Sequence, residues 1–311
     1  MKKLIILSMS LLFSTSLLFT ACKKAGNTDA TENILEAQVQ SDDQAAVATQ
    51  TDEINTDAST MVENVIAISG NSPQTFFPSP CNSVITYDTL NAAKTITITY
   101  NGLNCSGTLN RTGVVTISIP VGVQWKNAGA KLTVTATNLK ITRVASQKSI
   151  TINGSHIITN VSGGLLRNLA SVGTITHTIE SPGVTITFDN GTQRLWQVAK
   201  QRVFTYNNGI VVTTSGTHTD GNTSGISEWG TNRFGNSFVT QIIDPLVIRQ
   251  DCNWRLTSGH VKHSRMIRTG DVTFGLDVFG NPTSCPGAGS YYMKIVWVNA
   301  AGNTVTVILP Y

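Results

Sequence analysis

The sequence lacks the short motifs that mark the common hydrolases and zinc sites. It contains no G-x-S-x-G nucleophile elbow, no H-E-x-x-H zinc motif and no C-x-x-C pair. Carboxylates are sparse too, since residues 71–311 hold nine of them, and a glycosidase needs two that face each other across a sugar. We therefore expect no cofactor, and we favour a protein that is not an enzyme.

Histidines with metal-ligand spacing are equally scarce. His260 and His263 lie three apart in a strand pattern, and residues three apart on a strand face opposite sides of the sheet. We predict two exposed histidines there and no metal site. His177 is expected to face inward beside Ile175 and Ile179, as a hydrogen-bonded core residue rather than a catalytic base.

An apolar run long enough to span a membrane is missing. Lys2 and Lys3 precede the apolar stretch from Leu4 to Phe19, which has the form of a secretory signal peptide over residues 1–21. Its end, Phe19-Thr20-Ala21-Cys22, resembles the lipobox of bacterial lipoproteins. That resemblance implies acylation of Cys22, and each buried methylene of an acyl chain contributes ~0.8 kcal/mol. The alternative is an ordinary secretory leader.

Cysteine is scarce, with five in 311 residues. An exported chain meets an oxidising compartment, and four cysteines remain once Cys22 carries lipid. Local loop closure favours the disulfides Cys81–Cys105 and Cys252–Cys285, although four cysteines allow three pairings. A zinc site is the rival, and the absence of any C-x-x-C pair disfavours it.

Aromatic residues are absent from residues 22–70, where nine carboxylates face two lysines. This composition buries too little apolar surface to offset chain entropy, so it predicts a flexible acidic tether. Two short helices are expected within it, at residues 42–47 and 59–66. The second places Met61, Val62, Val65 and Ile66 on one stripe that can dock on the domain behind it.

Long helical patterns are missing from residues 71–311, where the hydrophobic period becomes two. Thr95–Tyr100 and Val184–Phe188 alternate apolar and hydroxyl residues, as half-buried strands do. Tight hairpin turns are predicted at four Asn-Gly pairs, at residues 101–102, 153–154, 190–191 and 208–209. The sequence thus predicts an all-β domain, an antiparallel hairpin meander folded as an elongated sandwich or a curled sheet. It has about fifteen strands and one conceivable division near residues 219–222.

The predicted core consists of the inward-facing residues of these strands. They are Ile96, Ile98, Tyr100, Val115, Ile117, Ile119, Ile175, Ile179, Val184, Ile186 and Phe188. The segment from Thr192 to Tyr206 is unusually basic. We expect its charged and aromatic residues to face outward, with Leu195, Ala199 and Val203 toward the core.

Four stretches of residues 80–311 combine strands, turns and cysteines in a shared pattern. They are Tyr100-Asn101-Gly102 with Cys105 and Arg111–Ile117; Thr137–Leu139 with Ile152–Gly154 and Thr159–Val161; Gly183–Thr192; and Cys252–Trp254 with Phe274-Gly275, Cys285 and Thr304–Val307. Together they resemble a family of Bacteroidota lipoproteins of unknown function. The resemblance implies an all-β domain behind a lipid anchor and brings no known activity or catalytic residue.

Positive charge is concentrated in residues 71–311, which hold eighteen Lys and Arg. One basic run contains Arg249, Arg255, Lys262, Arg265 and Arg268. On a membrane-tethered protein this run is a candidate site for lipid head groups, lipopolysaccharide phosphates or acidic glycans. Its structural alternative is a charged edge strand that resists pairing with other chains. Nucleic acid is not an expected partner of an exported protein.

Two functional hypotheses follow. The first is a lipid-anchored protein of the cell envelope, in the outer membrane, that binds a glycan, lipopolysaccharide or envelope protein, or has a structural role, without catalysis. The second is an envelope glycan hydrolase that uses Glu228 with an Asp partner, since Glu228 adjoins Trp229, an aromatic able to stack on a sugar. A lipid carrier built as a half-barrel is a further alternative.

Overall fold

Fifteen β-strands and a little helix form the fold in the computed structural model, which describes residues 39, 43, 47, 50–65, 79–90, 93–265, 269–285, 289–298 and 302–311. The strands are β1 Ser83–Asp88, β2 Ala93–Leu103, β3 Leu109–Pro120, β4 Ala130–Arg143, β5 Ser149–Asn160, β6 Thr174–Phe188, β7 Gln193–Tyr206, β8 Ile210–Gly216, β9 His218–Asp220, β10 Thr223–Thr231, β11 Ser237–Arg249, β12 Arg255–Arg265, β13 Thr269–Leu276, β14 Tyr292–Val298 and β15 Thr304–Pro310. The helices are α1 at residues 50–64, α2 at Leu169–Val172, and single 3-10 turns at Leu166–Asn168 and Gln250–Cys252. The predicted all-β class and strand number are confirmed.

All fifteen strands belong to one antiparallel sheet. Its order is β1 to β7, then β10 to β15, while β8 pairs with β7 and β11, and β9 pairs with β10. The division considered near residues 219–222 falls in the turn between β9 and β10. The sheet continues past this turn, because β10 pairs directly with β7 and β11.

Only two of the four Asn-Gly pairs lie in hairpin turns. Residues 190–191 and 208–209 connect β6 to β7 and β7 to β8, as predicted. The prediction is wrong for residues 101–102 and 153–154, which lie inside β2 and β5. Gly154 has φ of 139°, and a Cβ there would lie 3.0 Å from the Val184 Cα. Here glycine permits close approach of two strands rather than a turn.

A line of bulges crosses the middle of the sheet. The register shifts in four successive ladders, at Thr112/Val114, Ala136/Leu139, Ser155/Ile157 and Ser181/Val184. At the first shift, Gly113 has φ of 117°, and any side chain there would collide with the carbonyl of Asn138. Bulges increase local twist and bend a strand, so this line curls the sheet.

The interior of the curled sheet contains the predicted core together with α1. Every residue of the predicted core is buried. Helix α1 adds Ile54, Ala58, Met61 and Val62 to the same cluster, and Thr56 is the one exposed residue of 50–65. The helix is therefore surrounded on nearly all sides.

Acidic residues on different sides of α1 contact distant parts of the sheet. Asp52 and Asp57 point about 140° apart at 3.6 residues per turn. Asp52 pairs with Arg202 of β7, whereas Asp57 pairs with Arg111 of β3. The sheet therefore wraps around the helix, which is the curled form rather than the sandwich.

Helix α1 lies within the stretch whose composition predicts a flexible tether, so that prediction does not hold for residues 50–64. Part of the expected helix at residues 59–66 belongs to α1, and Met61 and Val62 dock inward as the stripe predicts. The composition argument considers only the segment's own apolar surface. Here the sheet supplies both the apolar surroundings and the cations that pair with its acids.

Two smaller clusters lie further along the sheet. One joins β11 to β14 through Ile242, Val261, Val272, Met293, Ile295 and Trp297. The other packs α2 and its preceding 3-10 turn on β6, β7 and β8. Among the described residues, no helix is long and apolar enough to cross a bilayer.

Candidate functional site

Ion pairs between α1 and the sheet line the interior. The Arg111 Nη1 lies 3.1 Å from Asp57 Oδ2, which also accepts a hydrogen bond of 2.8 Å from the Tyr100 hydroxyl. On the other side, Arg202 Nη2 lies 2.6 Å from Asp52 Oδ1. Burial raises the pKa of Asp57, and Arg111 opposes that rise. The contacts fix the helix by charge as well as by packing.

The C-terminal part of α1 is held by backbone amides. Glu63 accepts hydrogen bonds from the amides of Leu166 at 2.6 Å and Arg167 at 3.2 Å. Burial nevertheless raises the pKa of Glu63 to about 7. About two turns earlier along the helix, Asn55 Oδ1 is hydrogen-bonded to His156 Nε2 of β5.

The charged and aromatic face of β7, which was expected to meet solvent, lies in the interior instead. Arg194, Trp196, Val198, Lys200 and Arg202 are buried in the interior, whereas Leu195 is exposed. The expectation assumed that a basic face meets water. In this fold the basic side chains face an interior that already contains carboxylates, and burying paired charges avoids the cost of burying single ones.

Glu228, the candidate glycosidase acid, forms a buried ion pair. It is 2 % exposed, its Oε1 lies 2.5 Å from Lys200 Nζ, and its Oε2 accepts a 2.9 Å hydrogen bond from Trp196 Nε1. Trp229 points to the other face and stacks on His218 at 4.1 Å between ring centroids. The structure therefore does not bring Glu228 and Trp229 together on one surface.

Three histidines have lowered pKa values, and two of them, His156 and His177, are buried. His177 lies between the rings of Trp125 and Phe204, and burial lowers its pKa to about 3. It faces inward, as predicted, but its Nε2 has no hydrogen-bond partner among the described residues. Burial also lowers the pKa of His156 and of His263 to about 4. Groups with such values are poor bases near neutral pH.

The two histidines with near-ligand spacing have separate partners. His260 Nε2 lies 3.1 Å from Asp271, whereas His263 Nδ1 is 3.0 Å from the Thr240 hydroxyl. The prediction of two exposed histidines is wrong, since His260 and His263 are both half-buried. Among the described residues, the group spaced to hold a metal is Asp251 with Cys252 and Cys285. These cysteines form a disulfide, so their thiolates are not free to bind.

Both disulfides preferred from the sequence are present. Cys81 pairs with Cys105, which joins the start of β1 to the β2–β3 connection. Cys252 pairs with Cys285, which joins the β11–β12 turn to the β13–β14 loop. Cys22, the predicted lipidation site, lies outside the described residues.

The basic run of residues 249–268 does not converge on one patch. Arg249 is bonded to Asp251 at 2.6 and 2.9 Å, and Arg255 donates to the carbonyls of Gly289 and Tyr311. Lys262 lies opposite Asp271 in the β12–β13 ladder. Arg255 and Arg265 mark the two ends of β12, roughly 33 Å apart at a strand rise of about 3.3 Å. Arg268 lies outside the described residues.

A cleft of about 280 Å³, here called the entrance cleft, opens where Val39, Asp43 and Gln50, which lie before and at the start of α1, meet the sheet. Its sides come from the β4–β5 hairpin, the end of β6 and the β10–β11 turn. The lining residues are Val39, Asp43, Gln50, Ile141, Arg143, Lys148, Ser149, Ile150, Phe188, Asp189 and Arg233. Sequence reasoning missed this site, because its residues come from five separate segments. The signal that could have found it is charge complementarity between the acidic stretch 22–70 and the basic domain behind it.

These features define an all-β protein in which a curled antiparallel sheet encloses one acidic helix, with an open cleft at the entrance. In comparisons with known proteins, no family model matches the chain, and neither does any curated protein or solved structure.

Proposed function

We propose that this protein is a lipid-anchored protein of the cell envelope, held in the outer membrane, that acts without catalysis as a binding module. The anchor rests on the signal peptide and on the lipobox-like residues that end at Cys22. The resemblance to Bacteroidota lipoproteins supports the same assignment. Its partners are the membrane, through the acyl chains, and an envelope glycan, lipopolysaccharide or envelope protein.

The observation that carries the binding role is the entrance cleft. Its rim includes Arg143 and Lys148, which are both exposed. Its floor includes Ile141, Ile150 and Phe188, which are buried. A concave site with an apolar floor and a few polar groups is the usual form of a small-molecule site.

The alternatives have less support from the geometry. A hydrolase that uses Glu228 would first have to break the buried Lys200–Glu228 pair, at the cost of an uncompensated buried charge. A half-barrel lipid carrier would need an open interior, and here α1 fills it. A binding module needs neither change.

Intact mass of the mature protein from the membrane fraction, with and without reduction, tests the proposal. We expect the chain to begin at residue 22 with two or three acyl chains, and reduction to add two hydrogens for each disulfide. A Cys22→Ser variant is the control and should leave the membrane fraction. An unacylated wild-type mass would remove the anchor, while the two disulfides would still be read from the same spectrum.

A further inference from the structure

Two cations stand side by side at the mouth of the entrance cleft. Arg143 ends β4, Lys148 precedes β5, and the Arg143 amide donates to the Lys148 carbonyl at 2.9 Å across the hairpin. Each lies two residues from a buried isoleucine of its strand, Ile141 or Ile150, so both side chains project from the face that lines the cleft.

Like charges directly opposite each other in a sheet are destabilising. Neither side chain has an ion pair or hydrogen bond within the described residues. An anion placed between them would relieve the repulsion.

A buried amide deeper in the cleft lacks a partner. Gln50 is 5 % exposed, and its Oε1 has no hydrogen-bond partner in the part of the chain that the structure describes. An unsatisfied buried acceptor costs about 1–3 kcal/mol. A hydroxyl group of a ligand in the cleft would donate the missing hydrogen bond.

The other charged side chains of the cleft already have partners, so Arg143 and Lys148 at the rim are the groups left to bind an anion. Arg233 already binds Asp43 through two hydrogen bonds of 2.5 and 2.6 Å, and its guanidinium lies 3.7 Å over the Phe188 ring. Asp189, the other carboxylate of the lining, is exposed and accepts a hydrogen bond from the amide of Asn190.

The apolar floor suits the face of a small ring. The cleft volume is close to the low end of the roughly 300–1,000 Å³ found for small-molecule sites, so one sugar unit is the expected size.

We infer that the entrance cleft binds a phosphorylated sugar. Its phosphate group lies between Arg143 and Lys148, its ring lies on the Ile141 and Ile150 side of the floor, and one hydroxyl donates to Gln50 Oε1. This inference rests on the proposed binding role and gives it a site and a ligand class.

Calorimetric titration of the mature chain, starting at residue 22 and carrying Cys22→Ser, tests the inference. The probes are glucose 6-phosphate, glucose, inorganic phosphate and glycerol 3-phosphate. We expect glucose 6-phosphate to bind tightest, phosphate and glycerol 3-phosphate more weakly, and glucose not measurably. Equal affinity for glycerol 3-phosphate would assign the cleft to phospholipid head groups and overturn the sugar assignment. Absence of binding by every probe would overturn the whole inference.

Variants of the rim test the anion contact. Arg143→Ala and Lys148→Ala should each raise the Kd for glucose 6-phosphate about 10- to 100-fold, which corresponds to one charge-assisted hydrogen bond. Neither should lower the Tm of the free protein, because each removes one of two like charges. Lys140→Ala is the matched control, since Lys140 is an exposed cation of the same strand outside the cleft lining. An equal effect of Lys140→Ala would mean that net charge, not the cleft, attracts the anion.

The variant Gln50→Leu tests whether the Gln50 amide contacts the sugar or only supports the fold. It should weaken glucose 6-phosphate binding about fivefold, close to the mean contribution of one neutral hydrogen bond, and leave inorganic phosphate binding unchanged. The Tm of the free protein should stay equal or rise, because an unsatisfied acceptor is replaced by an apolar group of similar size. A lower Tm with an unchanged ratio of the two Kd values would show that the amide is structural. Because the anchor is removed in this background, failure here leaves the mass measurement at Cys22 unaffected.

Discussion

At the scale of single residues, three buried cations of the interior each form an ion pair with a carboxylate. Arg111, Lys200 and Arg202 are each at most 5 % exposed, and each has a carboxylate partner on α1 or β10. A buried pair adds little net stability relative to an apolar pair, but removal of one partner leaves an uncompensated charge. The interior should therefore tolerate double replacements better than single ones.

The Lys200–Glu228 pair gives the clearest test of this asymmetry. We expect Glu228→Leu to lower the free energy of unfolding by about 3–5 kcal/mol, because Lys200 stays buried without a partner. The double variant Lys200→Met/Glu228→Leu should recover most of that loss. Urea denaturation of the single and double variants measures both. The control is Asp251→Asn, which breaks a partly exposed pair with Arg249 and should have a much smaller effect than Glu228→Leu. A double variant as unstable as Glu228→Leu alone would refute the pairing argument.

The histidines with lowered pKa values predict loss of stability in acid. His156, His177 and His263 have pKa values lowered to between about 3 and about 4, below the 6.5 of a free histidine. Their contribution is present above pH 6.5 and is lost as the pH falls toward these values, at about 1.4 kcal/mol per pKa unit for each group. His177→Phe keeps the ring between Trp125 and Phe204 and should reduce the slope of unfolding free energy between pH 6.5 and 4. An unchanged slope would mean that the pKa of His177 in the fold equals that of a free histidine.

The raised pKa of Glu63 predicts that its contribution to stability falls as the pH rises, the opposite of the histidines. Because its pKa is raised from 4.5 to about 7, its contribution is present below pH 4.5 and is lost as the pH rises through 7. Glu63→Gln removes this titration. The gain in unfolding free energy between pH 5 and pH 7 should then exceed that of the wild type by about 2–3 kcal/mol. The measurement is urea denaturation at both pH values, and an equal gain in both proteins would contradict the raised pKa.

At the scale of elements, α1 belongs to the core although its sequence is acidic. Its apolar stripe enters the same cluster as the inward residues of β2 to β7, and its acids reach cations on opposite arms of the sheet. Bulges and glycines that curl the sheet make this enclosure possible. A flat sheet could contact only one side of a helix.

Substitutions along α1 should therefore behave as core substitutions. Ile54→Ala and Met61→Ala should each lower the free energy of unfolding by about 2–5 kcal/mol, the range for large-to-small changes at buried sites. Thr56→Ala is the control on the same helix, since Thr56 is exposed and alanine is the better helix former. Thermal or urea unfolding gives the values. Losses near zero at Ile54 and Met61 would return residues 50–64 to the role of a tether.

At the scale of the whole molecule, the folding unit begins before residue 71. The sheet closes around α1, so a domain cut at residue 71 would expose both an apolar cluster and several unpaired cations. We expect a fragment of residues 71–311 to lack cooperative unfolding and dispersed amide resonances, whereas a fragment that starts at residue 39 should retain both. Circular dichroism and two-dimensional NMR of the two fragments provide the comparison. A cooperatively folded 71–311 fragment would show that α1 is dispensable.

The sequence by itself determined the strand content and the eleven inward-facing residues predicted for β2, β3 and β6, and it favoured the two disulfides that form. Those features depend on local alternation and on closure of short loops, which are visible along the chain, as at Ile96 to Tyr100 or between Cys81 and Cys105. Tertiary structure decided which way the charged face of β7 points, because only the fold shows that Lys200 meets Glu228 and that Arg202 meets Asp52. It also decided that residues 50–64 are core, and it assembled the entrance cleft from Gln50, Arg143 and Lys148. The physical reason is the same in each case: the cost of burying a charge or an amide depends on partners that are distant in sequence, and local patterns carry no information about them.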